Sequence, residues 1–166
     1  MKSSLPLTLL ALFSILPAFA QKPIVKPEDF SLLTGERWTG SLVYRDYGSN
    51  KEVSIPSHLT VTKATAEDLT WIFEYEYPQE PKANSKENVK LTTDGTRIND
   101  ENVVARENLD DGVLRLVTER LGKDNDRNAL IRHTYLIGRS SFSIKKEVRP
   151  EDSTKFFERN RYTWRR

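Results

Sequence analysis

The stretch Leu69-Thr70-Trp71-Ile72-Phe73-Glu74-Tyr75-Glu76-Tyr77 sets large side chains at every second position, with Thr70, Glu74 and Glu76 between them. A period of two marks a β-strand with one buried face, because successive side chains point to opposite sides. Trp71, Phe73, Tyr75 and Tyr77 share one parity and are expected to point inward together. Glu74 and Glu76 fall on the opposite face, which sets them apart from a convergent catalytic carboxylate pair.

The same period continues in both directions. Upstream, Val53, Ile55, Leu59 and Val61 form one strand, with Pro56 marking a bulge or an edge. Before Gly48-Ser49-Asn50, Trp38, Leu42 and Tyr44 alternate with Thr39, Ser41 and Arg45. Downstream, a polar loop is expected from residue 78 to 87, then a strand at Val89 and Leu91. Asp94-Gly95 is a strong hairpin signal. Arg97-Ile98 and Val103 to Glu107 continue beyond it, and Asp111-Gly112 turns the chain into Val113 to Leu121. Ala129 to Ile137, Phe142 to Val148 and Phe156 to Trp164 complete the series. Parallel sheets need crossover helices, and this chain has no segment for them. Consecutive hairpins give an up-and-down meander, and closure removes its edges. The fold expected is an all-β antiparallel barrel of eight to ten strands over residues 35–166, preceded by a linker and short helix over residues 21–34. Pro27-Glu28-Asp29 suits a helix start, Phe30, Leu32 and Leu33 give it an apolar side, and Gly35 can stop it.

The beginning of the chain predicts export. Lys2 precedes an apolar run from Leu5 to Leu16, Pro17 interrupts it, and Ala18-Phe19-Ala20 offers a small-x-small cleavage site. Residues 1–20 are therefore expected to be a signal peptide, and no later segment is long and apolar enough to span a bilayer. The chain has no cysteine, which excludes disulfides, thiolate metal sites and cysteine nucleophiles. Export without disulfides fits a bacterial protein, periplasmic or secreted. Charged residues make up 30% of the chain but sum to only +2, which gives no bulk attraction to nucleic acid or anionic membranes.

The two ends of the barrel segment carry a family resemblance. The short helix followed by Gly35-Glu36-Arg37-Trp38-Thr39-Gly40 resembles the opening of lipocalins and related calycin barrels, with Gly-x-x-Trp in place of Gly-x-Trp. Leu42 to Tyr47 is similar to the first strand of exported bacterial proteins with lipocalin-like domains. The resemblance implies an arginine of the last strand packed over the Trp38 indole. Arg161 is expected in that role, with Gly35, Trp38 and Trp164 as the other structural residues of the closed end. It also implies a barrel that holds small apolar ligands, inhibits other proteins or catalyses a reaction.

The inward aromatic set has two possible meanings: a core filled by side chains, or the wall of a ligand cavity. On the second reading the ligand-binding residues are Tyr44, Trp71, Phe73, Tyr75, His133, Tyr135 and Tyr162. His133 shares parity with Ile131 and Tyr135, and is the one residue that could serve as a base. His58 is the other histidine, and the two do not make a zinc site. Asp124, Asp126 and Asn128 imitate the start of a calcium loop, but Ala129 and Tyr135 stand where its glycine and glutamate belong, so a solvated turn is expected. Arg159, Arg161 and Arg165 share a parity opposite Tyr162 and Trp164 and read as a solvated outer face rather than a nucleic-acid stripe. No phosphate loop, dinucleotide fingerprint or nucleophile elbow occurs, and no cofactor, metal or catalytic residue is assigned. The leading functional reading is a noncatalytic binding protein with a small hydrophobic or amphipathic ligand. The rivals are an interaction module that contacts an envelope protein partner through residues 78–88, and an enzyme with its site at the barrel mouth.

Overall fold

A computed structural model describes residues 22–166. The expected signal segment and its cleavage site lie outside the described residues. A five-residue helix, α1 (Pro27–Ser31), is followed by ten strands: β1 (Trp38–Arg45), β2 (Glu52–Lys63), β3 (Thr70–Glu76), β4 (Ser85–Lys90), β5 (Arg97–Ile98), β6 (Glu101–Asn108), β7 (Leu114–Asp124), β8 (Arg127–Ile137), β9 (Ser141–Pro150) and β10 (Phe157–Arg165). All pairings are antiparallel, in the order β4-β3-β2-β1-β10-β9-β8-β7-β6-β5. The architecture is an up-and-down barrel that is nearly closed. Among the described residues no helix is long and apolar enough to cross a membrane.

The first and last strands close on each other. Gly40 lies opposite Trp164, and a Cβ there would sit 1.9 Å from the Thr163 carbonyl oxygen. Only glycine allows β1 and β10 to approach so closely.

The weak joint lies between the chain neighbours β4 and β5. The single bridge Leu91↔Ile98, flanked by Asn99 N–H donating to the Lys90 carbonyl at 2.7 Å, joins them. Their connection is longer than a two-residue hairpin. Asp94 accepts from the Thr92 hydroxyl at 2.6 Å and from the backbone N–H and hydroxyl of Thr96 at 3.0 and 2.9 Å, and Gly95 adopts φ 69°. These donors hold the Asp94 carboxyl down to about 2. The chain then reverses again at Asn99-Asp100, with Asn99 at φ 52°, so β5 does not continue into β6.

Two details correct the sequence reading, and a third settles an alternative it left open. β4 begins at Ser85, so the last three residues of the segment expected as a loop are strand. Pro56 causes no register shift in the β1–β2 ladder. It lies beyond the His58↔Glu76 pair that ends the β2–β3 ladder, so it occupies a locally free edge. A bulge between Glu158 and Asn160 reverses parity at the start of β10. Arg159 is therefore buried rather than solvated, and Phe156 lies against the Arg132 guanidinium, 3.8 Å from its ring centroid.

One end of the barrel is packed solid. α1 plugs it with Phe30, whose ring lies 5.4 Å from Trp71, 6.2 Å from Phe73 and 6.3 Å from Tyr135. Trp38, Trp71, Trp164, Phe73 and Phe142 are fully buried around it. Asp29, on the same helix, accepts two hydrogen bonds from Arg106 at 3.0 and 2.7 Å and one from the Lys26 N–H at 2.8 Å. The Trp38 indole donates to the Leu33 carbonyl at 2.8 Å. The arginine over Trp38 is Arg166, 4.2 Å from its ring centroid. The same guanidinium donates to the Leu32 and Thr34 carbonyls at 2.7 and 3.1 Å, where α1 leaves backbone acceptors unsatisfied. Arg161, expected there, lies on the outer surface 3.7 Å from Glu158.

Candidate functional site

Above the floor formed by Phe73, the barrel is hollow. A cavity of about 330 Å³ is lined by Tyr75, Tyr135 and Tyr162 together with Glu87, Glu101 and His133. The rings are in contact: Tyr162 stacks on Trp164 at 4.9 Å, Tyr75 lies 5.4 Å from Tyr162, and the Tyr77 and Tyr162 hydroxyls share a 2.7 Å hydrogen bond. The inward aromatic set is thus divided. Its lower members fill a core and its upper members line a space.

The opening is lateral and follows from the weak joint. β5 is only two residues long and turns back at Asn99-Asp100, so the wall ends there. β6 pairs with β7 no further than Asn102↔Glu119, which leaves Arg120 to Asp124 without a partner on that side. β4 has no second neighbour from Ser85 to Asn88. Ser85 and Glu87 form one jamb of the resulting window, Arg120 forms the other, and Asn99-Asp100 is the sill.

Just inside the window stands a hydrogen-bonded cluster. Glu101 is 7% exposed and accepts from the Thr118 hydroxyl, from Arg120 Nε at 3.2 Å, and from His133 Nδ1, which lies 2.9 Å from both carboxylate oxygens. An ionised carboxylate can only accept, so Nδ1 carries the proton. In the neutral imidazole Nε2 is then an acceptor, and it has no hydrogen-bond partner among the described residues. The two carboxyls of the cavity are driven apart. Burial pushes Glu101 up, but hydrogen bonds from His133 and Thr118 and the Arg120 charge outweigh it, and its carboxyl lies below the usual range. Burial and the Glu101 charge hold Glu87 above that range, against the pull of His133. The tyrosine hydroxyls of Tyr75, Tyr135 and Tyr162 are all raised, first by burial.

The sequence-derived binding set is only partly assembled here. Phe73, Tyr75, His133, Tyr135 and Tyr162 line the cavity. Tyr44 lies higher, in the mouth, beside Tyr47 and Arg159. Trp71 is fully buried under Phe30 and belongs to the floor. Of the structural set, Trp38 and Trp164 are at the plugged end, Gly35 bends the chain after α1 at φ 104°, and Arg161 is outside. Sequence reasoning missed Glu101, Thr118, Arg120 and Glu87. Thr118 and Arg120 follow Leu114 and Leu116 at the inward parity of β7, and polar residues on an otherwise buried face were the signal that could have found them.

The remaining titratable features are structural. Asp124 closes the β7–β8 hairpin, where Asn125 and Asp126 take φ 49° and 61°, and it accepts from the Tyr47 hydroxyl at 2.7 Å. Glu74 pairs with Lys86 at 2.8 Å, and Glu76 with Arg37, on the outer face. His58 lies on the outward parity of β2 with Nδ1 buried and without a hydrogen-bond partner. Among the described residues no group of three His, Asp or Glu side chains is placed to hold a metal ion. No protein-family model matches the chain, and no curated protein matches it.

Proposed function

We propose that this chain is an exported binding protein whose barrel holds a small amphipathic molecule in its upper half. The cavity carries this reading, since it combines an aromatic floor and wall with a few convergent polar groups, the usual composition of small-molecule sites. Its volume stands at the low end of such sites, so the ligand is small. A purely hydrophobic ligand fits poorly, because it would leave His133 Nε2 without a hydrogen-bond donor and the Glu87 carboxylate without a counter-charge. The Arg166–Trp38 stacking and the helix plug support the lipocalin-like resemblance of the two chain ends.

The test is native mass spectrometry of the protein purified from its own host. A reproducible adduct that is lost on denaturation supports the reading. Repeated preparations with bare mass, together with failure of small amines, alcohols and acids to bind, overturn it.

A second reading has a specific observation in its favour. An enzyme of this fold needs a base held by a carboxylate at an open cavity, and Glu101 holds His133 in that way. A His133→Asn variant that keeps ligand binding but loses conversion of the bound molecule would favour the enzyme over the carrier.

A further inference from the structure

The charge inventory of the cavity identifies the head group of the ligand, on the assumption that the binding reading above holds. Each cation in the cavity already has a carboxylate. Arg120 Nε lies 3.2 Å from Glu101 and 3.7 Å from Asp100, and Lys146 Nζ lies 3.8 Å from Asp124 toward the mouth. Glu101 is fully engaged by Thr118, Arg120 and His133. Two acceptors facing the cavity remain. The Glu87 carboxylate forms no ion pair among the described residues; the Tyr75 hydroxyl hydrogen-bonds to it, and the His133 ring is close enough to act on its charge. The Nε2 of His133 is the other.

A ligand that satisfies both must bring N–H donors and positive charge. An anionic head would instead meet Glu87 and Glu101 with both cations already paired. The rest of the wall agrees, because tyrosine and phenylalanine faces carry negative quadrupoles that attract ammonium groups and also bury an apolar body. The geometry points to a small organic amine as the ligand, its ammonium between Glu87 and His133 Nε2 and its apolar body against Phe73, Tyr135 and Tyr162. The window admits it head-last, since Glu87 forms the jamb and Phe73 the floor. The raised carboxyl of Glu87 is consistent with a group that lacks the counter-charge such a ligand would supply.

Calorimetric titration at neutral pH with phenethylamine, 2-phenylethanol and phenylacetate tests this, because the three differ little in size and shape. Phenethylamine is expected to bind about tenfold more tightly than the alcohol, the scale of one charge-assisted hydrogen bond, and phenylacetate the most weakly. Glu87→Gln should bring the amine down to the level of the alcohol, with the alcohol changed by less than about twofold. Glu87 stands on a free, exposed edge, and a cooperative thermal transition no lower than that of the parent protein verifies that the variant folds. Equal or tighter binding of phenylacetate overturns the amine assignment, as does an amine preference that survives Glu87→Gln. Both outcomes leave the binding reading standing. Absence of binding by all three overturns the assignment as well, and joined to absence of a host-derived adduct it removes the binding reading too.

Discussion

The two halves of the barrel are made by the same strands and do opposite things. At the plugged end, β3 contributes Trp71 and Phe73 to a floor closed by Phe30, and each is fully buried. One turn of the pleat higher, Tyr75 of the same strand and Tyr77 just beyond its end line the cavity. The difference comes from what lies across the barrel. Below, α1 supplies an aromatic plug and β6 pairs with β7 from Asn102 to Asn108. Above, β5 ends after two residues and the wall is missing. Alternation along one strand therefore says which residues point inward, while the neighbouring strands decide whether inward means core or cavity.

Substitutions that act on one half only would sharpen this contrast. The largest expected effect is Phe30→Ala. It removes the plug from contact with three rings and should cost about 3–5 kcal/mol of stability by denaturant unfolding. A loss below about 1 kcal/mol would mean the floor packs without the helix. Next is Asp29→Ala, which takes the carboxylate from Arg106 and the Lys26 N–H and should cost about 1.5–3 kcal/mol. Asp29→Ala leaves the cavity wall untouched, so ligand retention at temperatures well below unfolding should persist in that variant. Phe30→Ala removes a ring packed on Phe73 and Tyr135 and should weaken retention as well.

In the upper half the effects are smaller and depend on pH. Glu101 has a folded-state pKa below its unfolded value. Its contribution is therefore present above the ordinary glutamate pKa and is lost as pH falls through the lowered folded value. Glu87 is shifted the other way, so it costs stability at neutral pH and that cost disappears as the pH falls below its raised value. Melting curves across the acid range should thus change slope in opposite directions for Glu101→Gln and Glu87→Gln. Parallel curves for the two variants would contradict the cluster as described. The smallest effect is expected from Tyr77→Phe. It breaks the 2.7 Å contact with the Tyr162 hydroxyl in a partly wet site and should cost about 0.5–1.5 kcal/mol in thermal unfolding.

The barrel could be read from the sequence because its strands obey a period of two and its hairpins carry their own turn residues. What failed were features set by tertiary pairing. β4 looked like a loop because Ser85, Lys86, Glu87 and Asn88 are polar on both faces, and that composition reflects the window beside them. Arg159 was misplaced by one bulge, which no single residue type announces. The arginine over Trp38 was expected from the last strand, and it is the residue just after it, Arg166, because β10 must run to the helix before its guanidinium can reach the Leu32 and Thr34 carbonyls. His133 was legible as an inward residue. Its partner was not, because Glu101 enters the site only through the turn at Asn99-Asp100, which brings β6 back beside β5.

The most direct test of the account is a crystal structure of the protein purified from its own host. The account predicts ordered non-protein density above Phe73, bounded by Tyr162 and in contact with His133 Nε2, while the Phe30–Trp71–Phe73 floor stays closed. A collapsed upper half, with Tyr75 or Lys146 filling the space and β4 zipped along β6, would contradict it.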